Sequence, residues 1–135
     1  MPTIAATGDT PLIRTDFSDD AAWRALAAAA VAPSPEGFQA YVEIVEDRGF
    51  EGATPAQLAE AAGGRRGCLI VADAVAIHDD EHPFLCLELA PAGRSFRVIP
   101  RELWGVENNL SLANMDFEEF ADAADPDGVF RGFPE

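Results

Sequence analysis

Carboxylates follow three of the predicted strands at the ends where α/β sheets bind ligands. Asp16 lies at the end of the first predicted strand, Asp47 at the end of the second and Asp73 near the end of the third. Ligands of open α/β sheets lie beyond the carboxyl ends of parallel strands, and Mg²⁺ takes carboxylate oxygens as ligands. One hypothesis is therefore a Mg²⁺-dependent enzyme that acts on a phosphate-type small substrate, with these three aspartates as metal ligands. The alternative is that they cap helices and turns, where Asp is common.

A second candidate site is an asparagine-rich stretch near the end of the chain, residues 107–117. Asparagine is a poor helix former and is costly to bury without hydrogen-bond partners. One interpretation is a recognition surface at the junction of two helices. The alternative is an interhelix turn in which the asparagine side chains satisfy unpaired backbone groups.

The last quarter of the chain is strongly acidic, with nine carboxylates against two arginines in residues 101–135. In the predicted last helix Phe117 and Phe120 face inward, while Glu118, Glu119 and Asp122 face outward. An acidic face rimmed with aromatic residues would steer association with a basic protein, although it could also be a solvated face that keeps the protein soluble. The predicted interaction residues of both stretches are Glu107, Asn108, Asn109, Asn114, Asp116, Glu118, Glu119 and Asp122.

Composition excludes several kinds of chemistry. All nine basic residues are arginine, so no lysine can form a Schiff base or act in a P-loop. With 24 carboxylates and a net charge of −15, we expect neither nucleic acid nor an anionic membrane as a partner. No GxSxG motif supports a nucleophile. We therefore assign no catalytic residue and favour a non-catalytic regulatory module, of the inhibitor or immunity kind, over an enzyme; no cofactor is expected beyond Mg²⁺ under the enzyme alternative.

The two cysteines and the first residues indicate a cytoplasmic protein. Cys68 and Cys86 lie in apolar runs and are predicted to be buried, reduced thiols. No apolar run approaches the ~20 residues that span a bilayer. The N-terminal residues lack the basic and apolar regions of a signal peptide.

A single domain is predicted to position these candidate residues. A chain of 135 residues, 48% of them apolar, is predicted to form a flexible arm over residues 1–10 and a single domain over 11–135. The strands are predicted at residues 11–17, 41–47, 68–75, 84–90 and 95–99. A helix follows each of the first two strands, one capped by Ser18 and one by Thr54. Two further helices are predicted at residues 100–112 and 116–124.

The order of these elements predicts how the strands pair. Strands separated by a helix make right-handed crossovers and lie parallel, whereas the later strands are close enough in sequence to pair antiparallel. We therefore predict an α/β fold with a mixed five-stranded sheet in the order 2-1-3-4-5, flanked by helices, with two helices at the C-terminus.

Three segments carry a resemblance to known sequences. The first is RTDFSDDAAW at residues 14–23. The second, within residues 96–117, contains FRVIP, LW and ENNLSLANMDF. The third is DGVFRG at residues 127–132. Together they resemble a family of small actinobacterial proteins of unknown function, over about residues 12–133. The resemblance implies a cytosolic bacterial single domain. The family has no established activity, so the resemblance implies no catalytic residue.

Overall fold

A computed structural model of the chain describes residues 1–4, 8–89 and 92–133. The described residues form six strands and five α-helices. The strands are β1 (Thr10–Arg14), β2 (Val42–Val45), β3 (Cys68–Ala72), β4 (Phe84–Leu89), β5 (Ala92–Val98) and β6 (Val129–Phe130). The helices are α1 (Asp20–Val31), α2 (Pro55–Ala61), α3 (Ala74–His78), α4 (Leu103–Ser111) and α5 (Phe117–Ala123). Short 3₁₀ turns lie at Arg48–Phe50 and Pro100–Glu102.

The strands form one mixed sheet in the order β2-β1-β3-β4-β5-β6. β1 pairs parallel with β2 and β3, β4 pairs antiparallel with β3 and β5, and β6 pairs parallel with β5. The predicted α/β fold, mixed sheet and order of the first five strands are confirmed. β6 was not predicted, because two residues are too few to show an alternating pattern.

The sheet has a hydrophobic core on each face. On one face, α1, α4 and α5 contribute residues such as Trp23, Leu103 and Phe120. On the other face, the sheet is covered by Leu58 of α2 and by Phe50 of the 3₁₀ turn that precedes α2. All residues of β1 and β3 are buried, which explains the continuous apolar sequence of β3, since a strand covered on both faces needs no polar side.

Side-chain caps place the end of β3 and the start of α1 differently from the prediction. β3 ends at Ala72, since the Asp73 carboxylate accepts the Ala76 N–H at 3.1 Å and begins α3. The N-cap of α1 is Asp19, which accepts the Ala22 N–H, rather than the predicted Ser18. Residue 90 of the fourth predicted strand lies outside the described residues.

The N-terminal segment is packed where the structure describes it. Ile4 is buried in the α2-side core, and its N–H donates to the Ala61 carbonyl at 3.0 Å. Thr10, the last residue of the predicted arm, begins β1. Residues 5–7 of that arm lie outside the described residues, so its flexibility stays a prediction there.

Cys68 and Cys86 are buried and unlinked, as predicted. The hydrogen bond shared with Cys68 and burial raise the pKa of the Cys86 thiol well above its usual range. The thiolate, which is the reactive form, is therefore disfavoured. Across the described ranges, no helix combines the length and apolar character that crossing a membrane requires.

Candidate functional site

The carboxyl ends of β1 and β2 surround a buried arginine. Arg14 ends β1, and only 2% of its side chain is exposed. Its guanidinium contacts Asp20 at 2.7 Å and Glu46 at 3.4 Å, and its Nε donates to the Asp16 carbonyl at 2.8 Å. A buried cation needs such partners, because desolvation of an unpaired charge is very costly.

Aromatic rings complete the surroundings of Arg14. Its guanidinium carbon lies 4.4 Å from the centre of the Phe17 ring and 5.4 Å from that of Trp23. The Trp23 indole N–H donates to Glu46 at 2.7 Å. The sequence signal for this cluster is an arginine that ends an apolar strand just before Phe17 and Trp23. The groups of the cluster satisfy one another's charges and hydrogen bonds, so the cluster stabilises the carboxyl ends of β1 and β2.

Asp16 belongs to a small polar cluster that joins the loop after β1 to α3. Its carboxylate accepts from the Ser18 N–H at 2.9 Å and the Ser18 hydroxyl at 2.5 Å, and lies 3.6 Å from His78 Nε2. Burial opposes ionisation of Asp16, but the hydrogen bonds from Ser18 and the charges of His78 and Arg14 outweigh it and lower its pKa.

The Asp16, Ser18 and His78 side chains do not have the geometry of a nucleophilic triad. His78 Nε2 lies 2.9 Å from the Ser18 hydroxyl. In a triad the carboxylate orients the imidazole through Nδ1, the nitrogen opposite the nucleophile. Here Asp16 contacts Nε2 and the serine itself, so the cluster fixes the loop instead of activating Ser18.

Asp47 and Asp73 each have their own partners. Asp47 caps the 3₁₀ turn by accepting the Gly49 N–H at 2.8 Å. Asp73 binds Arg97 through two parallel hydrogen bonds of 3.0 and 2.7 Å. Within residues 1–4, 8–89 and 92–133, no three His, Cys, Asp or Glu side chains form a group that could hold a metal ion. The structure therefore does not bring Asp16, Asp47 and Asp73 together as the sequence analysis expected under the enzyme hypothesis.

This arrangement predicts how Mg²⁺ affects stability. Diffuse screening of a net charge of −15 raises the melting midpoint without a specific site, whereas a bound ion adds a shift that follows its dissociation constant. We expect millimolar Mg²⁺ to shift the midpoint equally in the native chain and in a variant carrying Asp16→Asn and Asp47→Asn. Differential scanning fluorimetry measures both shifts. A shift in the native chain that the variant lacks would contradict this.

Three polar side chains of the asparagine-rich segment, one of them buried, are hydrogen-bonded within the chain. Glu107 is buried and accepts from the Thr10 hydroxyl at 3.1 Å, the Tyr41 N–H at 2.7 Å and the Ser111 hydroxyl. The Asn108 amide donates to Glu107, and the Asn109 amide donates to the Gly105 carbonyl. These three side chains satisfy internal groups, which is the turn interpretation weighed above.

The other five predicted interaction residues are exposed or partly exposed. They form the surface that we call the acidic face: Asn114, Asp116, Glu118, Glu119 and Asp122. Phe117 and Phe120 are buried beneath it, as the helical spacing predicted. Glu118 accepts from Arg94 at 3.3 Å. In the part of the chain that the structure describes, Asp116, Glu119 and Asp122 make no ion pair or side-chain hydrogen bond.

Arg131 holds three carboxylates, two of them beyond α5. Its guanidinium lies 2.7 Å from Glu81, Asp125 and Asp127. The hydrogen bonds to Arg131 hold the pKa values of Glu81 and Asp127 below their usual range. One guanidinium does not balance three carboxylates, so this cluster keeps a net negative charge, but each of its acids has a cation beside it, unlike Asp116, Glu119 and Asp122 of the acidic face.

A pocket of about 440 Å³ opens beside the acidic face at the amino-terminal ends of β1 and β3. Two arginines, Arg65 and Arg66, line it together with the three carboxylates of Asp9, Glu88 and Asp116. Its charges are mixed, and Glu88 is itself paired with Arg94 at 2.6 Å. The pocket is therefore not a basic cavity of the kind that grips phosphate.

Comparison with known proteins gives a family but no activity. The model of a family described as a domain of unknown function, DUF6924, matches residues 9–133. No curated protein matches the chain. The expectation of an uncharacterised family is confirmed, whereas the actinobacterial source stays a prediction. The chain belongs to the DUF6924 family of domains of unknown function.

Proposed function

We propose that the protein is a non-catalytic interaction module that binds a basic protein partner through the acidic face. The observation that carries the proposal is that Asp116, Glu119 and Asp122 reach the surface side by side with no cation of the described chain paired to them. A partner with a cationic surface would supply the missing charges and would be steered toward them over long range.

The rest of the charge distribution supports the same surface. Arg14, Arg94, Arg97 and Arg131 are each engaged with carboxylates of the chain. Together they contact eight carboxylates, each of which has a guanidinium beside it. The acidic face differs, because Asp116, Glu119 and Asp122 have no cation of the described chain paired to them and are left for a partner.

This charge pattern fits a regulator that covers the cationic site of another protein. Basic surfaces that bind nucleic acid are a natural target, since an acidic protein presents carboxylates where the phosphates would lie. An inhibitor or immunity-type role in the cytoplasm follows, and the buried, unlinked thiols are compatible with a reducing compartment.

The test is capture of a partner at low salt with two charge-matched variants. One carries Glu118→Gln, Glu119→Gln and Asp122→Asn on the acidic face. The control carries Glu51→Gln, Glu60→Gln and Asp80→Asn, which are exposed elsewhere and change the net charge equally. We expect a protein retained by the native chain to be retained by the control and reduced at least about tenfold with the first variant, because two or three lost charge contacts amount to that.

The salt dependence of capture provides a second readout. At 0.5 M salt the Debye length falls to ~4 Å, so retention through exposed charges should be lost. Equal loss with both variants would indicate net charge alone. Retention that is indifferent to salt and to the first variant would contradict the proposal.

A further inference from the structure

The outer edge of β2 is an open sheet edge. β2 is the first strand of the sheet and pairs only with β1. The Thr10 N–H donates to the Tyr41 carbonyl, and Thr10 lies in register with Val42. Alternate residues of a strand direct their backbone groups to opposite sides, so Val42 and Ile44 point their N–H and C=O groups away from β1. In the described ranges, nothing pairs with these groups.

Apolar side chains are exposed along the same edge. Phe38, Tyr41 and Ile44 are 53%, 61% and 42% exposed. These three large apolar residues are close together along the chain. Phe38 stacks on Trp104 with ring centres 5.0 Å apart. An exposed edge strand with apolar side chains is a template for pairing with another chain.

The segment that leads into β2 is held in place from the interior. The buried Glu107 carboxylate accepts the Tyr41 N–H, and the Asn108 amide donates to the Gln39 carbonyl at 3.0 Å. The edge is therefore preorganised, which reduces the conformational entropy that binding would cost.

Charge selects the kind of strand that would pair there. Glu36 and Asp47 are exposed on either side of the edge, as is Glu46, although Glu46 also faces Arg14 at 3.4 Å. The nearby Arg48 already faces Glu51 at 3.6 Å. A second copy of this chain, with its own charge of −15, would bring like charges together, whereas a basic strand would meet opposite charges.

We propose that β2 binds an extended, basic segment of a partner protein, which adds to the sheet as a seventh strand. Backbone hydrogen bonds to Val42 and Ile44 would provide the pairing. Side chains alternate along a strand, so apolar side chains on one face of the segment would cover Ile44, and the side chains of its other face would meet Tyr41. This surface is distinct from the acidic face and does not depend on the function proposed there.

The experiment uses a fluorescent peptide of alternating arginine and valine as the probe. Anisotropy measures its affinity, and NMR measures amide hydrogen exchange. We expect exchange of the Val42 and Ile44 amides to slow on binding. A peptide of the same charge, N-methylated at alternate residues to remove the N–H donors that would face β2, should bind at least about tenfold more weakly, because two or more backbone hydrogen bonds are lost.

Two variants of the chain complete the test. Ile44→Pro removes an outward N–H and leaves the β1 ladder intact, as prolines on edge strands do; Tyr41→Ser removes apolar surface without changing the strand. We expect Ile44→Pro to weaken the peptide about tenfold and Tyr41→Ser to weaken it less. Circular dichroism confirms that each variant is folded.

The acidic-face variant separates this inference from the proposed function. Because it leaves β2 unchanged, it should retain the ratio of affinities between the plain and N-methylated peptides. Equal affinity for the two peptides, protection confined to α5, or pairing of β2 with a second copy of the chain would each overturn the inference.

Discussion

Replacing both carboxylates around Arg14 should destabilise the protein by about 3 kcal/mol, because the guanidinium stays buried without compensating charge. The variant carries Asp20→Asn and Glu46→Gln. The amide oxygen that the second substitution introduces can still accept the Trp23 indole N–H, which limits the change to charge. For a chain of this length the loss corresponds to a melting midpoint lowered by roughly 10 °C, which differential scanning calorimetry measures.

A third substitution identifies the cause of that loss. Adding Arg14→Met removes the buried charge and retains an unbranched apolar side chain beneath Phe17 and Trp23. Replacement of a buried ionic group by a well-packed apolar one is often neutral, so most of the lost stability should return. If the triple variant is less stable than the double variant, Arg14 acts mainly through packing and hydrogen bonds, and the electrostatic explanation is wrong.

The second large effect is expected from Glu107→Ala, which should cost about 3 kcal/mol in the free energy of unfolding, since each buried donor left without a partner costs about 1–3 kcal/mol. The substitution leaves the buried Thr10 hydroxyl and the partly buried Tyr41 N–H without this acceptor. Urea denaturation followed by fluorescence measures the difference.

Glu119→Ala is the matched control, since it removes the same side chain from an exposed position on α5. Its effect should stay within about 0.5 kcal/mol. Equal effects of the two substitutions would mean that Glu107 is not the internal anchor of the β2 edge. A large effect of Glu107→Ala should also weaken the proposed strand addition, because Tyr41 and the residues before it lose their anchor.

The sequence predicted the sheet because its signals are local. Apolar runs with helical segments between them define β1, β2 and β3, and short connections define the later antiparallel strands. The exposed acids of α5 were also predictable, because Phe117 and Phe120 occupy positions i and i+3 of one helical face. The adjacent glutamates and Asp122 must then lie on the opposite face.

The partners of the polar residues could not be predicted, because they depend on contacts between distant segments. Glu107 meets Thr10 from 97 positions away, and no local pattern encodes that approach. Asp16, Asp47 and Asp73 do follow successive strands, but each is satisfied by a nearby donor or by Arg97. Carboxylates at strand ends thus predict caps and ion pairs as readily as a metal site.

The most direct test of the proposed function is the capture experiment with the two charge-matched variants, performed side by side at low salt. The proposal predicts that neutralising Glu118, Glu119 and Asp122 releases the basic partner, whereas the equal change of charge at Glu51, Glu60 and Asp80 leaves it bound. A partner that both variants retain, or that both lose to the same extent, would contradict the claim that this face is the binding surface.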